Sequence, residues 1–248
     1  MHRSAHQPAR GLSNLRLKTI GIVLTALSCV SGVIFPAGMG VAAQDVSMSD
    51  LTTAVLCEAA SWIAVPIYAW LLVDGYRHTR SIPAYAVRLL ALAVIAEVPY
   101  DLTTTGTPLG WGSQNPVFAL FIAVIALALI DAFAGRARAT RIAISAIVVI
   151  AALAWMILGH IGLRQQIMNA GVLILILALV FRYMAARENT MMMAAAACSA
   201  LFCILPAFGV ALLHYRNGSL GYDRTATPWV QWLFYALYPA ILLLFAIL

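Results

Sequence analysis

The sequence predicts an all-α protein, a polytopic integral membrane bundle of about eight transmembrane helices. Three observations support this: 63% of the 248 residues are hydrophobic, only 10% are charged, and the mean hydropathy is +0.94. Soluble domains carry about 25% charged residues, so this composition excludes a water-soluble enzyme, a disordered regulator and a disulfide-stapled secreted module. The apolar runs are continuous and do not alternate as barrel strands do, which favours helices.

The apolar runs divide the chain into eight predicted spans, each close to the ~20 residues that a helix needs to cross the hydrocarbon core. The spans cover approximately residues 18–36, 51–73, 84–100, 116–134, 141–159, 167–186, 190–213 and 229–248. Residues 1–16 are polar and basic, and we expect them to form a flexible cytoplasmic tail. Residues 17–248 are then a single transmembrane domain.

Polar residues mark the borders of these spans in order along the chain. The first span follows the basic tail, and the second ends in a polar cluster at residues 74–78. The third contains Arg88 and ends near Pro99, because proline favours a kink or a helix end. The fourth and the eighth follow the two longest polar loops, at residues 101–115 and 214–228, which we place on the outer face. Short gaps separate the fifth, sixth and seventh spans.

The distribution of basic residues predicts the orientation. With the N-terminus inside, twelve basic residues are cytoplasmic: Arg3, Arg10, Arg16, Lys18, Arg77, Arg80, Arg88, Arg136, Arg138, Arg141, Arg182 and Arg187. Only Arg164, Arg216 and Arg224 are then outside. Cytoplasmic loops carry an excess of Lys and Arg, so we predict both termini in the cytoplasm and an even number of spans.

The same composition argues against several ligands. The net charge of +6 is explained by cytoplasmic loops, so we expect membrane lipids and not nucleic acid as partners. The four cysteines lie inside apolar runs without metal-ligand spacing, and no Walker A, HExxH or CxxC motif occurs. We therefore expect no metal site.

A polar cluster ends the second span and is the first candidate site. Asp74, Arg77 and His78 lie together, and Arg80 and Arg88 follow closely. Guanidinium groups match phosphate oxygens in geometry and charge, so this cluster is a candidate phosphate site. Ordinary cytoplasmic anchoring of the span explains the same residues.

Acidic residues at membrane depth are costly and are therefore functional candidates. Glu58 lies in the second span, about two turns from its outer end, and a carboxylate that faces a pore or an interface near the headgroups is the alternative to a functional role. Glu97 and Asp101 are four residues apart and share a helix face if the helix continues past Pro99. A carboxylate there can serve as a general base, an ion site or a hydrogen-bond hub, and the sequence leaves these alternatives open.

Three segments have distinctive sequences: PIYAWLLVDGYRHTR at residues 66–80, RLLALAVIAEVPYDL at 88–102 and NPVF at 115–118. They resemble the FPxFAFLLVEGxxHTR, RLLxFAxISExPFDL and NVFFTL segments of the TraX family of bacterial membrane proteins. Residues 215–218 and 234–239 look like its closing segments. The resemblance covers most of the chain and is most specific over residues 62–120.

This resemblance implies a membrane acetyl- or acyltransferase in the bacterial cytoplasmic membrane, with acetyl-CoA or another acyl-CoA as donor and a pilin-type or envelope acceptor. On this interpretation the candidate residues receive the following roles. As catalytic residues we expect Glu97, His78 and Asp101; as donor-binding residues Asp74, Arg77, Arg80 and Arg88; and as substrate-binding residues Glu58, Tyr100 and Asn115.

The chain departs from the family's pattern at several positions. An Asp-His pair of the first span falls on Ser28-Cys29, and an Arg falls on Trp62. The threonine of NVFFTL falls on Ala119, and a late histidine falls near Ile241. These losses motivate an alternative, a catalytically degenerate subunit or scaffold with a membrane-protein partner. A small-molecule transporter that uses Glu58 and Glu97 as coupling carboxylates is the other alternative.

Overall fold

A computed structural model describes residues 11–36, 40–164, 168–223 and 225–247. Ten α-helices form over these ranges, and the predicted all-α class is confirmed. They are α1 (Asn14–Ile34), α2 (Met48–Ser61), α3 (Ala64–His78), α4 (Ile82–Thr105), α5 (Pro116–Ala132), α6 (Arg138–Leu158), α7 (Ala170–Tyr183), α8 (Glu188–Phe202), α9 (Ile204–His214) and α10 (Val230–Ile247). One short antiparallel pair joins β1 (Leu163–Arg164) to β2 (Met168–Asn169).

Five elements of the described chain are long and apolar enough to cross a membrane: α1, α2 with α3, α4, α6 and α10. Helices α5 and α7 are shorter, but they run between the same two ends of the bundle. The largest buried cluster joins α3, α5 and α7 through residues such as Trp70, Leu127 and Phe181. The interior of the bundle is therefore built around these three helices.

Helices α2 and α3 pair antiparallel with α1, and the contacts fix their register. Asn14 meets Asp74, Thr25 meets Tyr68 and Ser28 meets Glu58. The predicted second span is thus one element, 31 residues long, with a break at Trp62 between α2 and α3. Pro66 accounts for the break, since proline has no N–H to donate to the carbonyl four residues earlier.

Basic residues gather at the end of the bundle where α1 begins, which we call the basic end. Of the twelve lysine and arginine residues that the structure describes, eleven lie at or near this end, and Arg164 alone lies at the opposite one. The predicted excess of basic residues at one end of the bundle is therefore present, although one of these residues lies at a different end from the one predicted. Arg216, expected on the outer face, lies at the basic end, while Arg3, Arg10 and Arg224 lie outside the described residues.

The predicted seventh span, residues 190–213, is wrong as a single crossing. The chain breaks at Cys203, and α8 and α9 form a hairpin that returns to the basic end, where Arg216 pairs with Glu188 at 3.0 Å. Pro206 lies in the first turn of α9, and in a continuous helix it would leave the Phe202 carbonyl without its N–H donor. Hydropathy alone cannot separate such a hairpin from a span.

The prediction that both termini share one face is also wrong for the described chain. Helix α10 runs parallel to α1, because Lys18 lies over the Phe234 ring and Cys29 packs with Leu242. The described chain thus begins at the basic end and finishes at the opposite end. The loop at residues 214–223 lies at the basic end, not on the outer face, and it hydrogen-bonds to residues 12–15.

Of the predicted tail, residues 1–10 lie outside the described part of the chain. Residues 11–16 are not a free tail, because the backbone N–H of Leu12 donates to the Tyr215 carbonyl at 2.8 Å and that of Asn14 to the Ser219 carbonyl at 2.8 Å. Helix α1 begins at Asn14, where Ser13 accepts a capping bond from the Arg16 N–H. The first described residues, 11–16, are therefore anchored to the bundle.

Candidate functional site

A cavity of about 1160 Å³ lies between α1, α3, α4 and α10 and extends to the first turns of α5 and α7. At the basic end its mouth is polar and is lined by Asn14, Lys18, Asp74, His78, Arg80 and Arg88. Aromatic side chains line the walls: Tyr68, Tyr85, Trp232, Phe234, Tyr235 and Tyr238. Its volume exceeds the 300–1,000 Å³ or so of pockets for drug-sized ligands, so the cavity can accept a large amphipathic molecule.

Asp74 organises one side of the mouth. The Asn14 amide donates to its Oδ2 at 2.7 Å. The ring Nδ1 of His78 lies 2.8 Å from the Asp74 carbonyl oxygen and 3.4 Å from the carboxylate Oδ1. These contacts hold the His78 ring against the last turn of α3, while most of the side chain remains exposed. His78 is therefore positioned and still accessible to a ligand at the mouth.

Three cations face the mouth from other directions. The Arg88 Nε donates to the Ala84 carbonyl at 3.2 Å, and its guanidinium lies 5.8 Å from the Tyr85 ring centroid. Lys18 lies 5.4 Å from the Phe234 ring centroid, and Arg80 is exposed. Neither of the arginines has a carboxylate within salt-bridge distance among the described residues. The mouth is thus a cationic opening that suits phosphate oxygens.

Arg77, which the sequence groups with these residues, does not line the cavity. Its guanidinium donates to the Phe181 carbonyl of α7 and lies 5.9 Å from the Trp70 ring centroid. Arg77 therefore joins α3 to α7 on the side of α3 that faces away from the mouth.

Deeper in the cavity, hydroxyl groups on α1 face α2 and α3. The Thr25 hydroxyl donates to the Gly21 carbonyl at 2.9 Å and lies 3.1 Å from the Tyr68 hydroxyl. One turn further along α1, the Ser28 hydroxyl donates to Glu58 Oε2 at 2.8 Å. The Trp62 Nε1 donates to the other carboxylate oxygen, Oε1, at 3.0 Å.

Glu58 is almost completely buried, with 4% of its surface exposed. Both of these donors, Ser28 and Trp62, line the cavity. They are also two of the positions at which the sequence departs from the pattern of the family that it resembles. A buried carboxylate held by neutral donors thus lies directly behind the inner wall of the cavity.

The third group of predicted site residues, Glu97, Tyr100, Asp101 and Asn115, lies near the opposite end and does not line the cavity. Helix α4 continues past Pro99, so Glu97 and Asp101 do share a face. Glu97 Oε2 accepts from the Asn115 amide nitrogen at 2.5 Å and from its backbone N–H at 3.1 Å. Asp101 Oδ2 accepts from the Gly110 N–H at 2.8 Å.

These contacts attach the loop at residues 106–115 to α4. Asn115 also caps α5, because its Oδ1 accepts from the Val117 N–H at 2.9 Å, and Tyr100 lies 2.9 Å from the Ser113 hydroxyl. Asp101 Oδ1 is buried without a hydrogen-bond partner among the described residues. Of the alternatives that the sequence leaves open for Glu97, the hydrogen-bond hub matches its contacts.

A second hydrogen-bond hub is centred on Asp131, a residue that the sequence analysis does not identify as a candidate. Its Oδ2 accepts from the Arg182 Nη2 at 2.8 Å and from the Tyr76 hydroxyl at 3.0 Å, and its Oδ1 from the Tyr183 hydroxyl at 3.0 Å. An acidic residue in the last turn of an otherwise apolar helix was the available signal. The hub joins α3, α5 and α7 outside the cavity.

The remaining departures from the family's pattern lie in packed regions. Cys29 and Ile241 pack in a small cluster with Ala96, Tyr100 and Leu242, and Ala119 is buried against Gly171. Within the described ranges, no group of three or more metal-ligating side chains could hold a metal ion.

A family model described as TraX protein matches residues 15–248, which is nearly the whole chain. No curated protein and no solved structure matches the chain.

Proposed function

The chain belongs to the TraX family, and from this premise we propose that it is a membrane acyltransferase. It moves an acyl group from acyl-CoA to an amine or a hydroxyl of a pilin-type or envelope acceptor. The observation that carries this proposal is the large cavity with a cationic mouth at the basic end. Its shape and charge suit a donor with phosphate groups at one end and a thioester at the other.

The donor phosphates bind at the mouth, where Arg80, Arg88 and Lys18 supply positive charge and His78 supplies a further ring nitrogen. Hydrogen bonds between guanidinium and phosphate are charge-assisted, and each contributes about 1.5–3 kcal/mol. Asp74 orients His78, and its carboxylate accepts from the Asn14 amide and forms no ion pair with Arg80 or Arg88 among the described residues.

The acyl-bearing arm of the donor lies along the aromatic walls. Ser28 lies fourteen positions after Asn14 on α1, which corresponds to ~21 Å at ~1.5 Å per residue. This span is comparable with the extended pantetheine arm of coenzyme A. The thioester then lies near the inner wall formed by Ser28 and Trp62, while Glu97 and Asp101 support the loop at residues 106–115.

The orientation of the protein supports the same donor. Positive charge favours the cytoplasmic side of a membrane, so the basic end lies in the cytoplasm, where acyl-CoA is made. The opposite end, with the loop at residues 106–115, lies on the outer side. The chain is thus a multi-pass protein of the bacterial cytoplasmic membrane.

One observation favours a second candidate function. The cavity is lined at one end by Asp74 and His78 and at the other by Pro116 and Ala170, the first residues of α5 and α7. A cavity that reaches towards both ends, with a buried carboxylate behind its wall, is also a feature of transporters. A third candidate, a scaffold without activity, is supported by the loss of the family's Asp-His pair at Ser28-Cys29.

The test is transfer of the acetyl group. The purified full chain in lipid nanodiscs is incubated with acetyl-labelled acetyl-CoA and an envelope extract, and labelled acceptor is measured. We expect transfer that falls at least tenfold in Arg88→Ala and is unchanged in Arg138→Ala, which removes an exposed arginine at the same end outside the cavity. Absence of transfer, combined with uptake of solute by proteoliposomes, would favour the transporter.

A further inference from the structure

Ser28 and Glu58 form a hydrogen-bonded pair to which the proposed function assigns no chemical role. The Ser28 hydroxyl donates its proton to Glu58 Oε2 at 2.8 Å, and both side chains are less than 10% exposed. Ser28 lines the cavity. A serine hydroxyl that donates to a carboxylate has its oxygen lone pairs free to attack an electrophile, since the carboxylate can take the proton.

Trp62 orients the carboxylate of this pair. Its Nε1 donates to Glu58 Oε1 at 3.0 Å, so Oε2 is held towards Ser28. A nucleophile, a base in hydrogen-bond contact with it and a third group that orients the base are the arrangement of activated nucleophiles in acyl transfer.

A donor for the developing negative charge lies one turn away on the same wall. The Thr25 hydroxyl has a single proton, which it donates to the Gly21 carbonyl. Either oxygen can be the donor in the 3.1 Å contact between Thr25 and Tyr68, and while Thr25 donates to Gly21 the Tyr68 hydroxyl is the group that donates across it. Tyr68 and Thr25 both line the cavity, as Ser28 does, so the phenol O–H is a candidate donor to an oxyanion formed at Ser28.

From these contacts, and resting on the proposed function, we infer that Ser28 carries the acyl group as a covalent ester intermediate. The Ser28 Oγ attacks the thioester carbonyl, its proton passes to Glu58, and Tyr68 donates to the oxyanion. The carbon–sulfur bond then breaks, and the leaving sulfur takes the proton from Glu58 to become the CoA thiol.

The second half of the reaction returns the chain to its starting state. The acceptor amine or hydroxyl attacks the carbonyl of acyl-Ser28, and Glu58 takes the acceptor's proton. The ester bond to Ser28 breaks, and the Ser28 oxygen recovers a proton from Glu58. The acceptor is thus acylated after the donor has left, and the donor and acceptor need not occupy the cavity together.

The experiment traps the intermediate in the absence of an acceptor. The full chain in nanodiscs is incubated with acetyl-labelled acetyl-CoA, and label bound to protein is mapped by peptide mass spectrometry. We expect about one acetyl group per chain on Ser28, released by hydroxylamine. Label is lost in Ser28→Ala and retained in Ser31→Ala, which changes a serine one turn further on α1 that does not line the cavity.

Two further variants distinguish a loss of chemical reactivity from a loss of folded protein. Glu58→Gln keeps a side chain of the same shape that can still accept from Ser28 but is a far weaker base, so we expect labelling to slow by about 10²–10⁴-fold. Ser28→Cys keeps a nucleophile, so we expect label as a thioester on residue 28.

Label on Cys29, or transfer to acceptor at the wild-type rate in Ser28→Ala, would overturn the inference while leaving the proposed function intact. Absence of acetyl-CoA binding would overturn both. Unchanged labelling in Glu58→Gln would remove Glu58 as the base.

Discussion

The guanidinium of Arg216 lies 3.0 Å from the carboxylate of Glu188, and this contact joins the two ends of the α8–α9 hairpin. The hairpin thereby enters and leaves the bundle at the basic end. It places the loop at residues 214–223 on the same side as the start of α1. Because α10 then runs to the opposite end, the described chain finishes on the other side of the bundle.

With the proposed orientation, in which the basic end lies in the cytoplasm, this topology predicts which loops are accessible from outside the cell. In a background without native cysteines, Leu109→Cys, at the opposite end, reacts with a membrane-impermeant maleimide in intact cells. Asp223→Cys, at the basic end, reacts only after the membrane is permeabilised. Both positions are exposed, so the difference reports on sidedness. Equal labelling of the two positions in intact cells would refute the hairpin.

The two partners of the Arg216–Glu188 pair contribute unequally to stability. Arg216 is 10% exposed and lies 4.0 Å from the Trp70 ring centroid, whereas Glu188 is 61% exposed. We expect Arg216→Ala to lower the free energy of unfolding by about 2 kcal/mol, mainly through the lost contact with the ring. Glu188→Ala removes an exposed ion pair and costs less than about 1 kcal/mol. Denaturant unfolding in detergent measures both, and an equal loss in the two variants would contradict this account.

Gly209 allows α9 to approach α3 closely. A Cβ added at this position would clash with the Ile63 carbonyl and the Pro66 ring, so we expect Gly209→Ala to cost about 1–3 kcal/mol of stability. Gly135 has no atom close to an added Cβ, and Gly135→Ala is the matched control. The denaturant midpoint of the two variants in detergent is the measurement, and a midpoint shared by both would show that the hairpin is not packed here.

The Asn115 side chain makes more hydrogen bonds than an ordinary helix-capping residue does. Its loss removes the side-chain amide that donates to Glu97 and to the Ala93 carbonyl, and it removes the α5 cap. A hydrogen bond to a charged group contributes about 1.5–3 kcal/mol and a cap about 1 kcal/mol, so we expect Asn115→Ala to lose about 2–4 kcal/mol. Asn169 caps α7 through the Val172 N–H at 2.9 Å. Asn169→Ala should therefore lose only about 1 kcal/mol, and a loss as large as that of Asn115→Ala would argue against the hub.

The sequence predicted the helical class and most helix positions, because composition and apolar runs are local properties. It misplaced residues 190–213, because hydropathy is the same for a hairpin and for a span. Pro206 was the local signal of that break. The pairing of Arg216 with Glu188, which decides the topology, is a contact between residues far apart in the chain that no pattern in the sequence encodes.

The candidate site was predicted in part for the same reason. Asp74, His78, Arg80 and Arg88 are close in the chain, and the structure brings them to one cavity mouth. Glu97 depends on Asn115, which lies 18 residues away, and Glu58 depends on Ser28, 30 residues away. Such partners decide whether a carboxylate supports a loop or faces a cavity, and they are set by helix packing.

The cationic mouth is tested most directly by equilibrium binding of acetyl-CoA to the full chain in lipid nanodiscs. We expect saturable binding of about one acetyl-CoA per chain, weakened at least tenfold when Arg80 and Arg88 are both replaced by alanine and unchanged when Arg136 and Arg138 are. Binding should also weaken as salt is raised. No binding by the unaltered chain, or equal weakening in both double variants, would contradict a donor site at this mouth.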